Sequence, residues 1–329
     1  MTPELFVLGA TLLALTLYAL LGGADFGAGI WEFNTALQAS PKERALLYRA
    51  IGPVWEANHV WLIFVLVALF SAFPPAFAAA CRALWLPLLL GLLGIVFRGA
   101  AFAFRSAPDP DGRRPLLWET LFAMASTAAP FFLGASAWAI ASGRLAPDGD
   151  PLLGWVNPMS IFGAFFSVAA CAYLAAVYLA RDARREEGPD LAELWRRRAL
   201  VAGAWMGLLS AAGLALVATE APSLWEGFRR RAAPLVVLSG AGGLSSLAFL
   251  LARRQTAAAA GAACAVGGVV LGWGVAQFPA ILPPDFTVEG TKAPAAVLRP
   301  LAIGIGLGVA LLVPSLGFLF YLFKGRRPA

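Results

Sequence analysis

The chain has 329 residues, of which 60% are hydrophobic and 13% are charged, and its mean hydropathy is +0.75. Soluble globular domains carry about 25% charged residues, so this composition excludes an ordinary soluble fold and predicts a polytopic membrane protein. The formal net charge of +6 does not indicate a nucleic-acid partner. The arginines fall in short clusters between apolar runs, where membrane orientation explains them better.

Apolar runs of about 20 residues, the length that crosses a bilayer, predict an all-α integral membrane protein with about nine transmembrane helices. They form a single transmembrane domain, residues 1–329, without a soluble insertion. The predicted helices are residues 5–31, 51–73, 78–104, 117–141, 158–180, 199–219, 232–252, 256–278 and 300–323. The link Arg253-Arg254-Gln255-Thr256 is so short that we expect the seventh and eighth helices to form an antiparallel hairpin.

The basic residues predict the orientation in the membrane. Lysines and arginines concentrate in the odd-numbered loops and at the C-terminus, for example in Arg196-Arg197-Arg198, whereas the N-terminus and the even-numbered loops hold few. Cytoplasmic loops carry the excess of Lys and Arg. We therefore expect the N-terminus outside and the C-terminus in the cytoplasm. The segment before the first helix has no positive charge, so that helix is expected to be retained and not cleaved as a signal peptide.

Two short stretches place ionisable groups inside apolar, helix-length segments. Asp25 lies in the glycine-rich run 22–29 of the first helix, and Glu56 lies in the run 55–61 that opens the second. In the predicted topology Asp25 lies roughly 30 Å along its helix, at the cytoplasmic end, where Arg98 of the third helix also lies. An intramembrane carboxylate is by default a site of proton or ion handling. We predict that these charges meet and that one acid exchanges protons near neutral pH beside the arginine.

A structural interpretation of the same charges stays open. Asp25 and Arg98 could form a buried ion pair that only fixes the register of two helices. Gly23 and Gly27 have the small-xxx-small spacing that lets helices approach closely, which would hold the Asp25 side chain in place.

The polar cluster around Glu56 contains the chain's one histidine. His59 lies three residues after Glu56 and four after Trp55, so these side chains share a helix face. A lone histidine is a candidate haem or metal ligand, a proton relay or a core residue. Because a second histidine is absent from the sequence, we predict no metal site in this chain, and any haem would be held mainly by another chain. Trp55 is a candidate for the wall of a cofactor site.

These residues resemble subunit II of the cytochrome bd quinol oxidases, including the cyanide-insensitive variants. The motif that opens the second helix is the specific one, and further matches extend to the eighth helix. The matching stretches are Gly23-Ala24-Asp25-Phe26-Gly27-Ala28-Gly29, Gly52-Pro53-Val54-Trp55-Glu56-Ala57-Asn58-His59-Val60-Trp61-Leu62-Ile63, Phe97-Arg98-Gly99, Phe104-Arg105, Asn157-Pro158 and Gln277-Phe278-Pro279. The resemblance covers essentially the whole chain.

The resemblance implies a fold of two four-helix bundles plus one peripheral helix, in the plasma membrane of a bacterium or archaeon. It implies a heterodimer in which the partner, subunit I, carries the quinol site, haem b and haem d. Such a complex oxidises ubiquinol or menaquinol and reduces oxygen to water, drawing the protons from the cytoplasm. Small accessory subunits, a structural quinone and membrane lipid are further partners that the family suggests.

Carried over by position, the resemblance implies roles for particular residues. Glu56, Asp25 and Arg98 would form the proton path, with Arg98 as the charge partner of the two acids. Trp55, Asn58 and His59 would lie near the haem region or the subunit interface. The corresponding acid is Asp in some family members, so Glu56 is one methylene longer here.

Two other classes of protein compete with this interpretation. A proton-coupled secondary transporter would also place Asp, Glu and Arg in broken helices, but here the charges gather at one membrane face and no inverted repeat is visible. A purely structural partner would stabilise a haem-bearing subunit without handling protons.

Overall fold

The computed structural model describes residues 2–35, 40–51, 55–105, 116–146, 148–150 and 152–324. These residues form fourteen α-helices, one π-helical turn and one antiparallel pair of short strands. The helices are α1 (Pro3–Leu17), α2 (Gly23–Thr35), α3 (Pro41–Ile51), α4 (Trp55–Ala72), α5 (Pro74–Ala83), α6 (Trp85–Arg105), α7 (Leu116–Ala141), α8 (Pro158–Glu186), α9 (Pro189–Glu220), α10 (Pro222–Arg230), α11 (Ala233–Leu251), α12 (Gln255–Gln277), α13 (Val288–Thr291) and α14 (Ala295–Lys324). The π-helical turn is Tyr18–Gly22, and the strands are β1 (Ala280–Leu282) and β2 (Phe286–Thr287).

Within the described ranges, eight helices are long and apolar enough to cross a membrane, or nine if one bent pair counts as a span. The predicted multi-pass helical protein is confirmed at this level, and most predicted helices match the observed ones closely. The α11–α12 hairpin is also confirmed, because the two helices pack along each other on either side of the link.

The second and third predicted helices need correction. Residues 78–83, predicted to open the third span, belong to the separate helix α5, which is bent by 120° from the preceding segment Asn58–Ala72. The cause is Pro74-Pro75, because each proline removes a backbone hydrogen-bond donor and disfavours helical geometry in the residue before it. The third span therefore begins only at Trp85. The loop after α12 contains the small β1–β2 pair.

Proline and capping chemistry set several helix starts. Pro158 occupies the first turn of α8, where its missing N–H costs nothing. Asn157 caps that helix: its side chain accepts a hydrogen bond from Ser160 N at 3.0 Å, and Ser160 Oγ accepts from Asn157 N at 2.9 Å. At the other end of α8, Gly188 has φ +102°, a conformation that favours glycine, and it turns the chain directly into α9.

Helix α8 is the central element. Helices α2 and α7 pack against it, and α6 packs against α7; α9 and α12 also contact α8, and α11 packs on α9 and α12. Helices α1, α4 and α14 contact one another beside this assembly. The division into two four-helix bundles plus a peripheral helix stays a prediction, as does the orientation of the termini.

Candidate functional site

The helical geometry changes directly before the predicted proton-path aspartate. The first span is α-helical to Leu17, π-helical over Tyr18–Gly22 and α-helical again from Gly23. The wider π turn leaves carbonyl groups less regularly paired, and the Asn58 amide of α4 donates to the Leu21 carbonyl at 3.3 Å. Such turns are frequent at functional sites. The π turn and Asn58 thus join the first span to the start of α4.

Asp25 and Arg98 meet in the protein interior, as the sequence predicts. Arg98 Nη2 donates to Asp25 Oδ1 at 2.7 Å, and the side chains of Arg98 and Asp25 are 1% and 2% exposed. The same nitrogen donates to the Asp25 carbonyl at 3.3 Å, and Arg98 Nε donates to Ser126 Oγ at 3.0 Å. Burying two charges costs several kcal/mol per ion unless the geometry repays it. Here three hydrogen bonds and opposite charge offset that cost.

Aromatic rings and one unpaired oxygen complete the surroundings of this pair. The Arg98 guanidinium carbon lies 5.2 Å from the Phe26 ring centroid and 4.8 Å from that of Phe122, within cation–π range. Among the residues that the structure describes, Asp25 Oδ2 has no hydrogen-bond partner. A buried carboxylate oxygen without a partner is costly, and it is the atom at which Asp25 can accept a proton or bind a donor.

A second ion pair lies beyond the first, between Glu32 of α2 and Arg105 of α6. Arg105 Nη1 donates to both carboxylate oxygens, at 2.8 and 2.9 Å, and its guanidinium carbon lies 3.7 Å from the Phe122 ring centroid. Each member follows the Asp25–Arg98 pair by seven residues, about two helical turns. Sequence reasoning missed this pair, although the equal spacing on both helices was a usable signal. Two acid–arginine pairs therefore join α2 to α6, and they are separated by the same number of residues on both helices.

The glycines around Asp25 permit close helix contacts, but these are made by Gly27 and Gly29 and not by the predicted pair Gly23 and Gly27. A Cβ at Gly27 would lie 1.9 Å from the Cys171 carbonyl oxygen of α8, and one at Gly29 would lie 2.2 Å from Ser126 Oγ of α7. A Cβ at Gly23 would meet only ordinary contacts at 3.5 Å. The close approach thus depends on Gly27 and Gly29, which hold α2 between α7 and α8. The expectation that Gly23 shares this role is wrong.

His59 lies beside the π turn. Its ring centroid is 6.3 Å from that of Tyr18 and 6.3 Å from that of Phe26, and the ring is partly buried. Neighbouring Asn58 is buried. No group of three or more His, Cys, Asp or Glu side chains suited to a metal ion occurs within the described part of the chain.

Trp55 and Glu56 belong to the first turn of α4, but their side chains lie outside the described residues. Asn58 and His59 follow Glu56 by two and three residues and contact the first span at Leu21 and Phe26. The backbone of this turn therefore lies near the π turn and Asp25. The predicted meeting of Glu56 with Asp25 and Arg98 stays a prediction.

Helix α3, which precedes the Glu56 motif, forms ion pairs with Arg198 of α9 and with Glu187, which follows α8. Glu43, whose side chain is 4% exposed, accepts a hydrogen bond from Arg198 of α9. Arg49 donates to Glu187, directly after α8. The Arg198 guanidinium carbon lies 4.6 Å from the Trp195 ring centroid. Sequence reasoning did not identify these contacts because they join segments far apart in the chain.

At the opposite end of the first span, Lys292 joins two segments. Its Nζ lies 2.7 Å from Glu289 Oε1 and 3.4 Å from Glu4 Oε1. The hydrogen bond from Lys292 to Glu289 raises the pKa of the lysine, because it favours the charged form. These ion pairs are exposed or only partly buried and do not repeat the buried arrangement around Asp25.

Comparison with known proteins identifies the family. The family described as cytochrome bd terminal oxidase subunit II matches residues 3–323. The cytochrome bd ubiquinol oxidase subunit 2 of Bacillus subtilis is 36% identical over 114 residues, 35% of this chain and 33% of that protein. The match thus spans about a third of the relative's length.

Two other similarities extend over nearly the whole chain. The putative cytochrome bd menaquinol oxidase subunit II of Bacillus subtilis is 22% identical over 93% of this chain and 91% of that protein. A chain of the bd oxidase structure from Geobacillus thermodenitrificans has the same fold, with a TM-score of 0.82, 21% identity, and coverage of 99% of this chain and 100% of that one. With the family match extending over nearly all of its residues, the chain belongs to the cytochrome bd terminal oxidase subunit II family.

Proposed function

We propose that this chain is the second subunit of a quinol:oxygen oxidoreductase and that it serves a haem-bearing subunit I in two ways. It supports the fold of that partner, and it helps to deliver protons from the cytoplasmic side for the reduction of oxygen to water. The observation that carries the proposal is the buried Asp25–Arg98 pair, in which one carboxylate oxygen has no partner among the described residues. An ionisable group in such a position is functional by default in a membrane protein.

The proton path begins, in this proposal, at the membrane face where α2, α4 and α6 carry their charges. Glu56 receives a proton and Asp25 passes it on through Oδ2, the oxygen that Arg98 does not occupy. Arg98 stabilises the ionised acid and is itself fixed by Ser126. Glu32 and Arg105, two turns further along the same helices, form the entrance of the path.

The haems belong to the partner in this proposal. Haem b and haem d each need axial ligands from the protein, and this chain offers one imidazole, that of His59, whose ring centroid lies 6.3 Å from those of Tyr18 and Phe26. That donor set does not fit a haem site built by this chain alone. When bound in subunit I, the haems supply the electron transfer and oxygen chemistry. In this proposal Trp55, Asn58 and His59 belong to the part of the chain near the haem region or the subunit interface.

The names of the relatives support a quinol as the electron donor, since one is a ubiquinol oxidase subunit and another a menaquinol oxidase subunit. We propose either quinol as the substrate of the complex and the bacterial inner membrane as its location, with the C-terminus of this chain in the cytoplasm. Small accessory subunits and a structural quinone remain candidates by family resemblance alone. No observation favours the transporter alternative.

The proposal is tested by Glu56→Gln in the purified complex. We expect the visible haem spectrum to persist while quinol-dependent oxygen consumption falls about 100-fold, a typical loss for a missing proton-transfer group. The matched control is Glu289→Gln, which removes a carboxylate that is 80% exposed at the opposite end; its turnover should be unchanged. Loss of the haems in Glu56→Gln would instead support the purely structural role.

A further inference from the structure

A groove lined by arginines lies between the end of α8 and the α11–α12 hairpin. Its volume is about 760 Å³, and five arginines line it together with the first residues of α12. We call it the arginine groove; it is lined by Arg181, Arg184, Arg185, Arg253, Arg254, Gln255, Thr256, Ala257 and Ala260. None of these residues takes part in the proposed proton path.

The arginine groove has positive charge in excess of its neighbouring carboxylates. Arg181 pairs with Asp182 at 2.9 Å, and Arg253 lies 3.7 Å from Glu193. Arg184, Arg185 and Arg254 are exposed, and with the part of the chain that the structure describes they form no ion pair. The nearby Glu186 and Glu187 are directed to Arg49. Three positive charges are therefore available to a ligand.

The start of α12 adds a second feature that favours an anion. Its N-cap residue, Arg254, makes no side-chain capping hydrogen bond, and the first turn contains no acidic residue. The first N–H groups of a helix lack partners within the helix and carry partial positive charge. Gln255, Thr256 and Ala257 bring this helix start to the wall of the arginine groove. Arginine and a helix N-terminus both suit phosphate oxygens.

The position of the arginine groove indicates which phosphate compound it binds. Helices α8, α11 and α12 are candidate membrane spans, so their ends lie at the membrane surface. Leu251, two residues before Arg253, is 67% exposed, and Ala260 is exposed on α12. Arg181 lies 5.4 Å from the ring centroid of Tyr178, an aromatic residue of the type enriched at the interface. The positive charges of the arginine groove thus lie next to apolar surface of α11 and α12.

We propose that the arginine groove binds the headgroup of an anionic phospholipid, with its acyl chains against α8 and α12. Basic pockets between transmembrane helices are suited to such headgroups. The phosphate accepts hydrogen bonds from Arg184, Arg185 and Arg254. The apolar wall distinguishes a lipid from free phosphate.

The test is binding of tetraoleoyl cardiolipin, dioleoylphosphatidylglycerol and dioleoylphosphatidylcholine to the intact complex in mild detergent, measured by native mass spectrometry. We expect both anionic lipids to bind more tightly than phosphatidylcholine. The variant Arg184→Gln/Arg185→Gln/Arg254→Gln should weaken their binding about 100-fold. If it does not assemble, Arg254→Gln alone should weaken binding about fivefold.

The control variant, Arg82→Gln/Arg229→Gln/Arg230→Gln, removes three exposed arginines outside the groove and should bind the lipids as the wild type does. The proposal is overturned if the groove variants bind anionic lipid with unchanged affinity, or if phosphatidylcholine binds equally well. It is also overturned if millimolar inorganic phosphate displaces the lipid, because the ligand would then be a free anion.

Discussion

At the scale of single residues, Arg98 provides the buried positive charge that pairs with Asp25. Its guanidinium contacts a carboxylate, a carbonyl, a hydroxyl and two aromatic rings. The meeting of Arg98 with Asp25 could be predicted from the sequence, because two opposite charges at similar depth in apolar helices have few other ways to avoid an isolated charge. The contact between Arg98 and Ser126 could not be predicted, because a serine in an apolar helix does not indicate which residue it will bond.

Removing one member of the pair should be worse than removing both. Arg98→Gln leaves the Asp25 carboxylate buried without its partner, at a cost of about 3–5 kcal/mol. The double variant Asp25→Asn/Arg98→Gln leaves two neutral groups that can hydrogen-bond. We expect a larger fall in Tm for the single variant, measured by tryptophan fluorescence of the purified complex during heating. Equal falls would show that the charge pairing does not determine stability here.

At the scale of helices, the position of α2 depends on glycines. The spacing of glycines in the sequence predicts a close approach near Asp25, and the structure confirms it at Gly27 but not at Gly23. Gly23 and Gly27 both follow the π turn on α2, but the groups that face Gly23 are the side chains of Leu174 and Cys171 and not backbone, so the approach is looser one turn before Gly27. The π turn changes the rotation of the first span between Leu17 and Gly23, so side chains before and after it do not follow one helical period. A hydropathy pattern contains no sign of such a turn.

Gly27→Ala should separate α2 from α8. The added Cβ would lie 1.9 Å from the Cys171 carbonyl oxygen, which belongs to a backbone that cannot move aside, and overpacking of this kind costs about 1–3 kcal/mol. We expect a lower Tm and reduced yield of the assembled complex. The matched control is Gly9→Ala in the same span, where nothing lies within 4 Å of the added Cβ. If both variants behave as the wild type, the close crossing is not required.

Helix α3 should loosen when its buried acid is neutralised. Glu43→Gln removes the charge that pairs with Arg198, so backbone amides of α3 should exchange with deuterium about fivefold faster, as expected for a loss near 1 kcal/mol. Hydrogen exchange followed by mass spectrometry measures this. Glu186→Gln is the control, because Glu186 is 57% exposed and 3.9 Å from Arg49, and surface pairs contribute little. Unchanged exchange in Glu43→Gln would show that α3 is held by other contacts.

At the scale of the whole molecule, most of the membrane spans could be predicted because apolar runs of sufficient length have few alternatives in a bilayer. The α4–α5 bend could not be located from hydropathy, since Pro74-Pro75 interrupts an apolar run without changing its composition. The small β1–β2 pair escaped notice for another reason: its strands are three and two residues long.

The orientation of the molecule can be tested directly. The excess of basic residues in the odd-numbered loops predicts a cytoplasmic C-terminus. A fluorescent-protein fusion at the C-terminus should therefore fluoresce, and an alkaline phosphatase fusion there should be inactive. The opposite pattern would place α2, α4 and α6 with their charged ends outside and would remove the basis for proton uptake from the cytoplasm.

The central claim is that Glu56 and Asp25 carry the protons consumed in oxygen reduction. The most direct measurement is the rate of proton uptake when oxygen is added to the fully reduced complex, followed with a pH-sensitive dye in wild type, Glu56→Gln and the control Glu289→Gln. We expect uptake in Glu56→Gln to be about 100-fold slower, with haem content and the control rate unchanged. Proton uptake at the wild-type rate in Glu56→Gln would contradict the account.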